Sequence, residues 1–185
     1  MKYGDIVLQS IRKMFLNNEA ISIDDLDQMK NNKKYKVYMD GIHLTINNAI
    51  NILLNKCVPY IVQINVTPDF DLSMLTDFKF IDSVYGLDNK KIPYNVNNGH
   101  LIINENGIMN YSATYQVTEK TKWEEFIPIP YIDCTLIPLY VAGELYKDDD
   151  LTLSTMYLNQ FEQEINKITY QTSEISQIED IYGGF

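Results

Sequence analysis

Residues 35–67 read YKVYMDGIHLTINNAINILLNKCVPYIVQINVT. Within this stretch Tyr35, Met39, Ile42, Ile46, Ile50, Leu53 and Cys57 recur every three or four positions. That spacing puts them on one face of a helix of about six turns. Pro59 ends the pattern, because proline lacks the amide proton a helix interior needs. The period then changes to two. Over Tyr60–Thr67 the pair Ile61 and Gln63 falls on one face and Val62, Ile64 and Val66 on the other, as in a strand. A long amphipathic helix running straight into alternating strand grammar sets the class as α+β.

Upstream, Val7, Ile11 and Met14 predict a short amphipathic helix over 4–16, stopped near Asn17–Asn18. Ser22 followed by Asp25 is a capping box with Asp in place of Glu, opening a short helix to about Lys30. Asn31–Lys34 is a polar turn. Downstream, Leu72, Met74 and Leu75 precede Phe78, Phe80 and Ile81. Tyr94–Val96, Asn97–Asn98–Gly99 and His100–Ile103 predict a hairpin. Asn106–Gly107 is a second type I′ turn signal, leading into Ile108–Val117. Pro128–Ile129–Pro130 closes the β region. Asp133 is a candidate N-cap for a helix over Cys134–Tyr146. Pro138 should start or kink that helix, and Leu139, Ala142, Gly143 and Tyr146 lie along one side of it. Lys147–Asp150 breaks the helix and caps the next one, marked by Ser154, Tyr157, Phe161, Ile165 and Ile168.

The expected architecture is discontinuous. Residues 1–58 and 128–168 form a helical bundle, 59–127 form an inserted small antiparallel β domain of four to six strands, and 169–185 form a C-terminal tail. The tail carries only Ile175, Ile178 and Ile181 at intervals of three, so it is expected to be flexible or to order on a partner.

The formal net charge of −10 argues against a nucleic-acid-gripping domain, which needs a basic stripe. From Glu144 onward nine acidic residues face only Lys147 and Lys167, whereas Lys30, Lys33, Lys34 and Lys36 cluster early. Opposite ends of opposite sign suit head-to-side docking between copies. Fourteen tyrosines suggest interfaces, since a tyrosine buries a ring while keeping a polar tip. Cys57 and Cys134 have no ligand spacing and read as small buried hydrophobes. No apolar run reaches the ~20 residues of a membrane span, and Met1–Asp5 does not open a secretory signal, so the chain is expected to be made in the cytoplasm.

Chemistry has few footholds. His43 and His100 stand apart from any HExxH or Cys/His cluster, and GxSxG, GxGxxG and GxxxxGK[ST] are absent. Asp148–Asp149–Asp150 could hold a divalent cation but lacks the alternating ligands and glycine of a calcium loop. Its simpler role is to cap the following helix. Glu124–Glu125 beside Trp123 would point to opposite faces of a strand, which does not make a paired-carboxylate site. Neither an enzyme activity nor a metal or other cofactor is expected.

The run Leu136–Ile137–Pro138–Leu139–Tyr140–Val141–Ala142–Gly143–Glu144–Leu145–Tyr146–Lys147–Asp148–Asp149–Asp150, continued by Tyr157–Leu158–Asn159–Gln160–Phe161–Glu162, resembles the C-terminal helix pair of tailed-bacteriophage head–tail connector (neck adaptor) proteins. The resemblance is specific over about 30 residues, 134–165, and architectural elsewhere; a β unit of nearly 70 residues departs from the simple hairpin of small adaptors. It implies a structural virion protein at the neck or portal vertex. It further implies a homo-oligomer, a dodecameric ring bound to the portal protein and to a tail or further neck protein. DNA would pass through the channel without sequence-specific binding. The interaction residues it suggests are Tyr140, Tyr146, Asp148, Asp149 and Asp150, with Tyr182 and Phe185 in the tail. Two other functions are weighed beside it. One is a carbohydrate- or protein-binding module built on the Tyr-rich β region with Trp123. The other is a metal-dependent enzyme using Asp148–Asp150.

Overall fold

A computed structural model describes the backbone of residues 1–15, 21–57 and 59–182, and side chains over the same residues except 131, 132 and 169–182. The fold is α+β, with small antiparallel sheets inserted between N-terminal and C-terminal helices. The chain divides into two compact units, Met1–Val58 with Gln116–Phe185, and Pro59–Tyr115.

The helical unit contains α1 (Tyr3–Met14), α2 (Leu26–Met29), α3 (Lys33–Lys56), α4 (Tyr131–Cys134), α5 (Ile137–Leu145) and α6 (Leu151–Tyr182). Its core follows the helical periodicities. Ile6, Val7, Ile11 and Met14 come from α1, Met39, Ile42, Ile46, Ile50 and Leu53 from α3, and Ile137, Leu139 and Val141 from α5. From α6 come Tyr157, Phe161 and Ile165. Helix ends are closed by specific side chains. Asn32 caps α3 by accepting from the Lys34 amide at 3.0 Å. The Asp25 carboxylate accepts from both the backbone N–H (2.8 Å) and hydroxyl (2.7 Å) of Ser22, which holds its carboxyl below the usual range. Pro138 falls in the first turn of α5, where a missing amide proton costs nothing.

Three expectations change around the helical unit. Asp133 does not cap α5, whose N-cap is Leu136. It lies in α4, 4 % exposed, and its Oδ2 has no hydrogen-bond partner. Residues 116–127, expected in the β insertion, associate with the helices instead. The side-chain amide of Asn47 on α3 both donates to the Val117 carbonyl and accepts from the Val117 N–H, each at 2.8 Å. The amides of Tyr3 and Gly4 donate to the carbonyls of Glu125 and Trp123 at 2.8 and 2.9 Å. These bonds satisfy the N-terminal donors of α1 with the 123–125 backbone, which is why that segment leaves the sheet. Finally, helical backbone does not stop at Ile168 but runs on to Tyr182, through most of the segment expected as a tail.

The β unit contains β1 (Tyr60–Val66), β2 (Phe70–Asp71), β3 (Phe78–Gly86), β4 (Asn95–Asn97), β5 (His100–Ile102) and β6 (Gly107–Ala113). They form two three-stranded antiparallel sheets in the orders β1-β6-β3 and β2-β5-β4. In the first sheet Val62 lies opposite Tyr111, and Ile81 lies opposite Tyr111 from the other side. Val66, Leu72, Val84, Leu101, Ile103, Met109, Tyr111 and Ala113 make the core. The predicted hairpin is present. Asn98 and Gly99 carry the positive φ of a two-residue type I′ loop, 48° and 82°. Asn106–Gly107 is not such a turn. Gly107 begins β6, and a Cβ there would stand 2.5 Å from the Tyr85 carbonyl oxygen, so the glycine serves close backbone approach.

Candidate functional site

The α5–α6 hairpin is the segment that the sequence singles out, and the structure builds it as one tightly packed piece. A Cβ on Gly143 would meet Leu158 Cγ at 2.7 Å and the Ser154 carbonyl oxygen at 3.2 Å, so the two helices touch where only a hydrogen fits. At the same place the buried Ser154 hydroxyl donates to the Gly143 carbonyl at 2.7 Å. That carbonyl is among the last of α5, which have no partner in their own helix. The turn between the helices is held by Asp149 and Asp150 amides donating to the Tyr146 carbonyl, at 3.2 and 2.9 Å.

The three aspartates separate. Asp150 caps α6 through its Oδ1, which accepts from the Leu153 amide at 3.0 Å. Asp149 accepts from the Tyr38 hydroxyl of α3 at 2.6 Å. Asp148 points to solvent. Among the described residues no group of three His, Cys, Asp or Glu side chains converges as a metal site.

Tyr146, at the end of α5, joins an aromatic cluster that has no local sequence signature. Phe15, after α1, stands edge-on to Tyr35, Tyr38 and Tyr146, at ring separations of 5.1, 5.2 and 5.9 Å. The Lys34 ammonium lies over Phe15 and Tyr35 at 5.3 Å from each ring. Burial, reinforced by the Asp149 bond, pushes the Tyr38 hydroxyl up to about 12. The structure thus brings the basic start of α3 and the acidic α5–α6 turn to the same end of the helical unit. The link between them runs through the Tyr38 hydroxyl and the Phe15 ring, with no ion pair between these lysines and Asp148–Asp150 among the described residues.

Tyr140 lies one turn and a half earlier on α5, away from that cluster. Its half-buried ring packs on Phe161 at 5.0 Å. Tyr140, Phe161, Ile52, Leu158 and Ile165 line a groove of about 400 Å³ between α3, α5 and α6, with Lys56, Glu144 and Glu162 around it. Glu144 is tied to Lys147 at 2.7 Å. On the other flank of α6 the Tyr157 hydroxyl donates to the Lys13 carbonyl at 3.0 Å, closing the C-terminal end of α1. The Tyr182 side chain and Phe185 lie outside the described residues.

Trp123 is not part of the β unit. It belongs to the helical unit, stacked on Tyr3 at 5.2 Å with 14° between the planes. The Lys30 ammonium sits 4.4 Å from the indole centroid, and the indole N–H donates to Asp27 at 3.0 Å. Both the ring and its polar edge are therefore engaged inside this unit. The β1-β6-β3 sheet carries a polar network of its own, running from exposed Gln63 to buried Ser83. Gln63 donates to Asn110 (3.1 Å), Asn110 to Ser83 (3.2 Å) and Ser83 to Asp82 (2.8 Å), beside exposed Ile61 and Phe80. No protein-family model matches this chain, and no curated protein sequence matches it.

Proposed function

We propose that this chain is a structural virion protein, a head–tail connector subunit made in the host cytoplasm that assembles as a homo-oligomeric ring of about twelve copies beneath the portal. The ring would join the capsid vertex to the tail or to a further neck protein and let DNA pass. The observation that carries this proposal is the α5–α6 hairpin. The segment with the connector-like sequence is also a closely packed helix pair, locked at Gly143 and Ser154. Such a rigid pair can present Tyr140 and the acidic turn as fixed contact points. A net charge of −10 suits a channel through which a duplex slides, because like charge repels the phosphate backbone.

Negative-stain electron microscopy of this chain mixed with the portal protein of the same virus tests the proposal. The expected result is a second ring stacked on the portal with matching rotational symmetry. A bare portal beside free monomeric chain would refute it.

A further inference from the structure

We infer that neighbouring copies of this chain contact one another by an edge-into-groove fit. The Lys33–Val37–Leu44 edge of α3 on one copy enters the Tyr140–Phe161 groove of the next. This inference rests on the ring assembly proposed above and names its contact surfaces.

Val37 and Leu44 are 77 % and 60 % exposed and lie two turns apart on one line of α3, with Lys33 one turn before them. They stand off the buried face formed by Met39, Ile42, Ile46 and Ile50. The first turn of α3 holds lysines and no acidic residue, the wrong sign for a helix N-terminus. Among the described residues Lys33 has no ion-pair partner, so an acidic group from outside would relieve it. The groove offers the complement. Ile52, Phe161 and Ile165 supply an apolar lining, and its about 400 Å³ admits two aliphatic side chains. Glu162 stands at its margin, again with no ion-pair partner among the described residues. Apolar edge meets apolar lining, and Lys33 meets Glu162, the groove carboxylate without an ion-pair partner among the described residues; Glu144 is tied to Lys147, and Lys56 lies along the same groove. Because edge and groove are different surfaces, the contact is heterologous, and repetition closes a ring or extends a filament.

The test uses the full chain, alone and with the portal protein, read by sedimentation velocity and negative-stain microscopy. Leu44→Asp changes a side chain exposed in the free chain, so its circular dichroism and melting curve should match the wild type while its rings are lost. Lys33→Glu and Glu162→Lys should each weaken self-association by about tenfold, the equivalent of a 1.4 kcal/mol charge contact. The double charge swap should restore assembly. Wild-type rings that persist unchanged in Leu44→Asp and in both single charge variants would overturn the inference while leaving the connector proposal intact. Normal self-association with portal binding lost in Glu162→Lys would assign the groove to the portal and also overturn it. A wild-type chain that stays monomeric with and without the portal would overturn both.

Discussion

Gly41 in α3 and Gly143 in α5 lie inside helices of the same unit, and the structure gives opposite consequences for replacing them with alanine. At Gly143 the new Cβ falls 2.7 Å from Leu158 Cγ and 2.8 Å from its Cδ2, with the Ser154 carbonyl at 3.2 Å. Cγ is the branch point of the leucine, not its free end, and the carbonyl belongs to α6 backbone, so neither yields without moving the helix. Overpacking of this kind costs about 1–3 kcal/mol. Displacing α6 also stretches the 2.7 Å bond from Ser154 to the Gly143 carbonyl, a buried pair worth ~1 kcal/mol when intact and more when one partner is stranded. Alanine's better helix propensity returns at most ~1 kcal/mol. The net expectation for Gly143→Ala is a destabilisation of ~1–3 kcal/mol, a fall in Tm of roughly 2–4 °C per kcal/mol for a chain of this size. At Gly41 the nearest atom to a new Cβ is Leu145 Cδ2 at 3.7 Å, an ordinary contact. Gly41→Ala should therefore be neutral or stabilising by up to ~1 kcal/mol. Urea unfolding followed by far-ultraviolet circular dichroism, which reports the helical unit, measures both. If Gly143→Ala is as stable as Gly41→Ala, the close approach of α5 and α6 is wrong, and with it the rigid hairpin on which the proposed function depends.

Further expectations follow from single groups. Ser154→Ala should lose about 1–3 kcal/mol in the same assay, because it strands a buried helix-end carbonyl. Asp149→Asn should lower the Tyr38 hydroxyl from about 12 in an ultraviolet titration, yet leave it above its ordinary 10.0, since burial is the largest cause and remains. Tyr3, Tyr38 and Tyr111 are each pushed up to about 12, with burial the largest cause in every case. The folded state therefore holds these protons more tightly. Their contribution is complete below pH 10.0 and is lost as pH rises through about 12, so denaturant midpoints should hold steady up to pH 10.0 and then fall. Burial raises the Asp133 carboxyl, whose Oδ2 lacks a partner, so the fold favours its protonated form and loses stability as pH climbs through the raised value. Asp133→Asn should accordingly gain stability at neutral pH, on the order of 1 kcal/mol, with the gain shrinking toward acid pH. Gly107→Ala places a Cβ 2.5 Å from the Tyr85 carbonyl and should unfold the β1-β6-β3 sheet at lower denaturant, by ~2 kcal/mol or more, visible as broadened or shifted amide resonances of residues 60–113.

Periodicity, caps and turn residues are local properties, and these were legible in the residues themselves. The three-and-four spacing from Tyr35 to Leu53 forms α3, the alternation after Pro59 forms β1, and Asn98–Gly99 makes its tight loop because both residues accept positive φ. Gly143 could be read as permitting close packing, and Asp150 as a cap, from sequence alone. Partners far apart in the chain could not be read in this way. Tyr38 finds Asp149 across 111 positions, and Phe15 finds Tyr35, Tyr38 and Tyr146, because the packing of α1, α3 and α5 brings their ends together. Residues 116–127 have strand-like composition, but the open amides of α1 and the Asn47 side chain compete for their backbone and win, which shortens the insertion to Tyr115 and moves Trp123 out of the β unit. Asp133 looks like a cap by type and position, yet one short turn of α4 buries it. The sequence by itself determined α1, α3, β1 and the β4-β5 hairpin, since their periodicity and turn residues act within a few positions. Tertiary structure alone decided which polar groups and rings meet, because those contacts exist only once distant elements have packed.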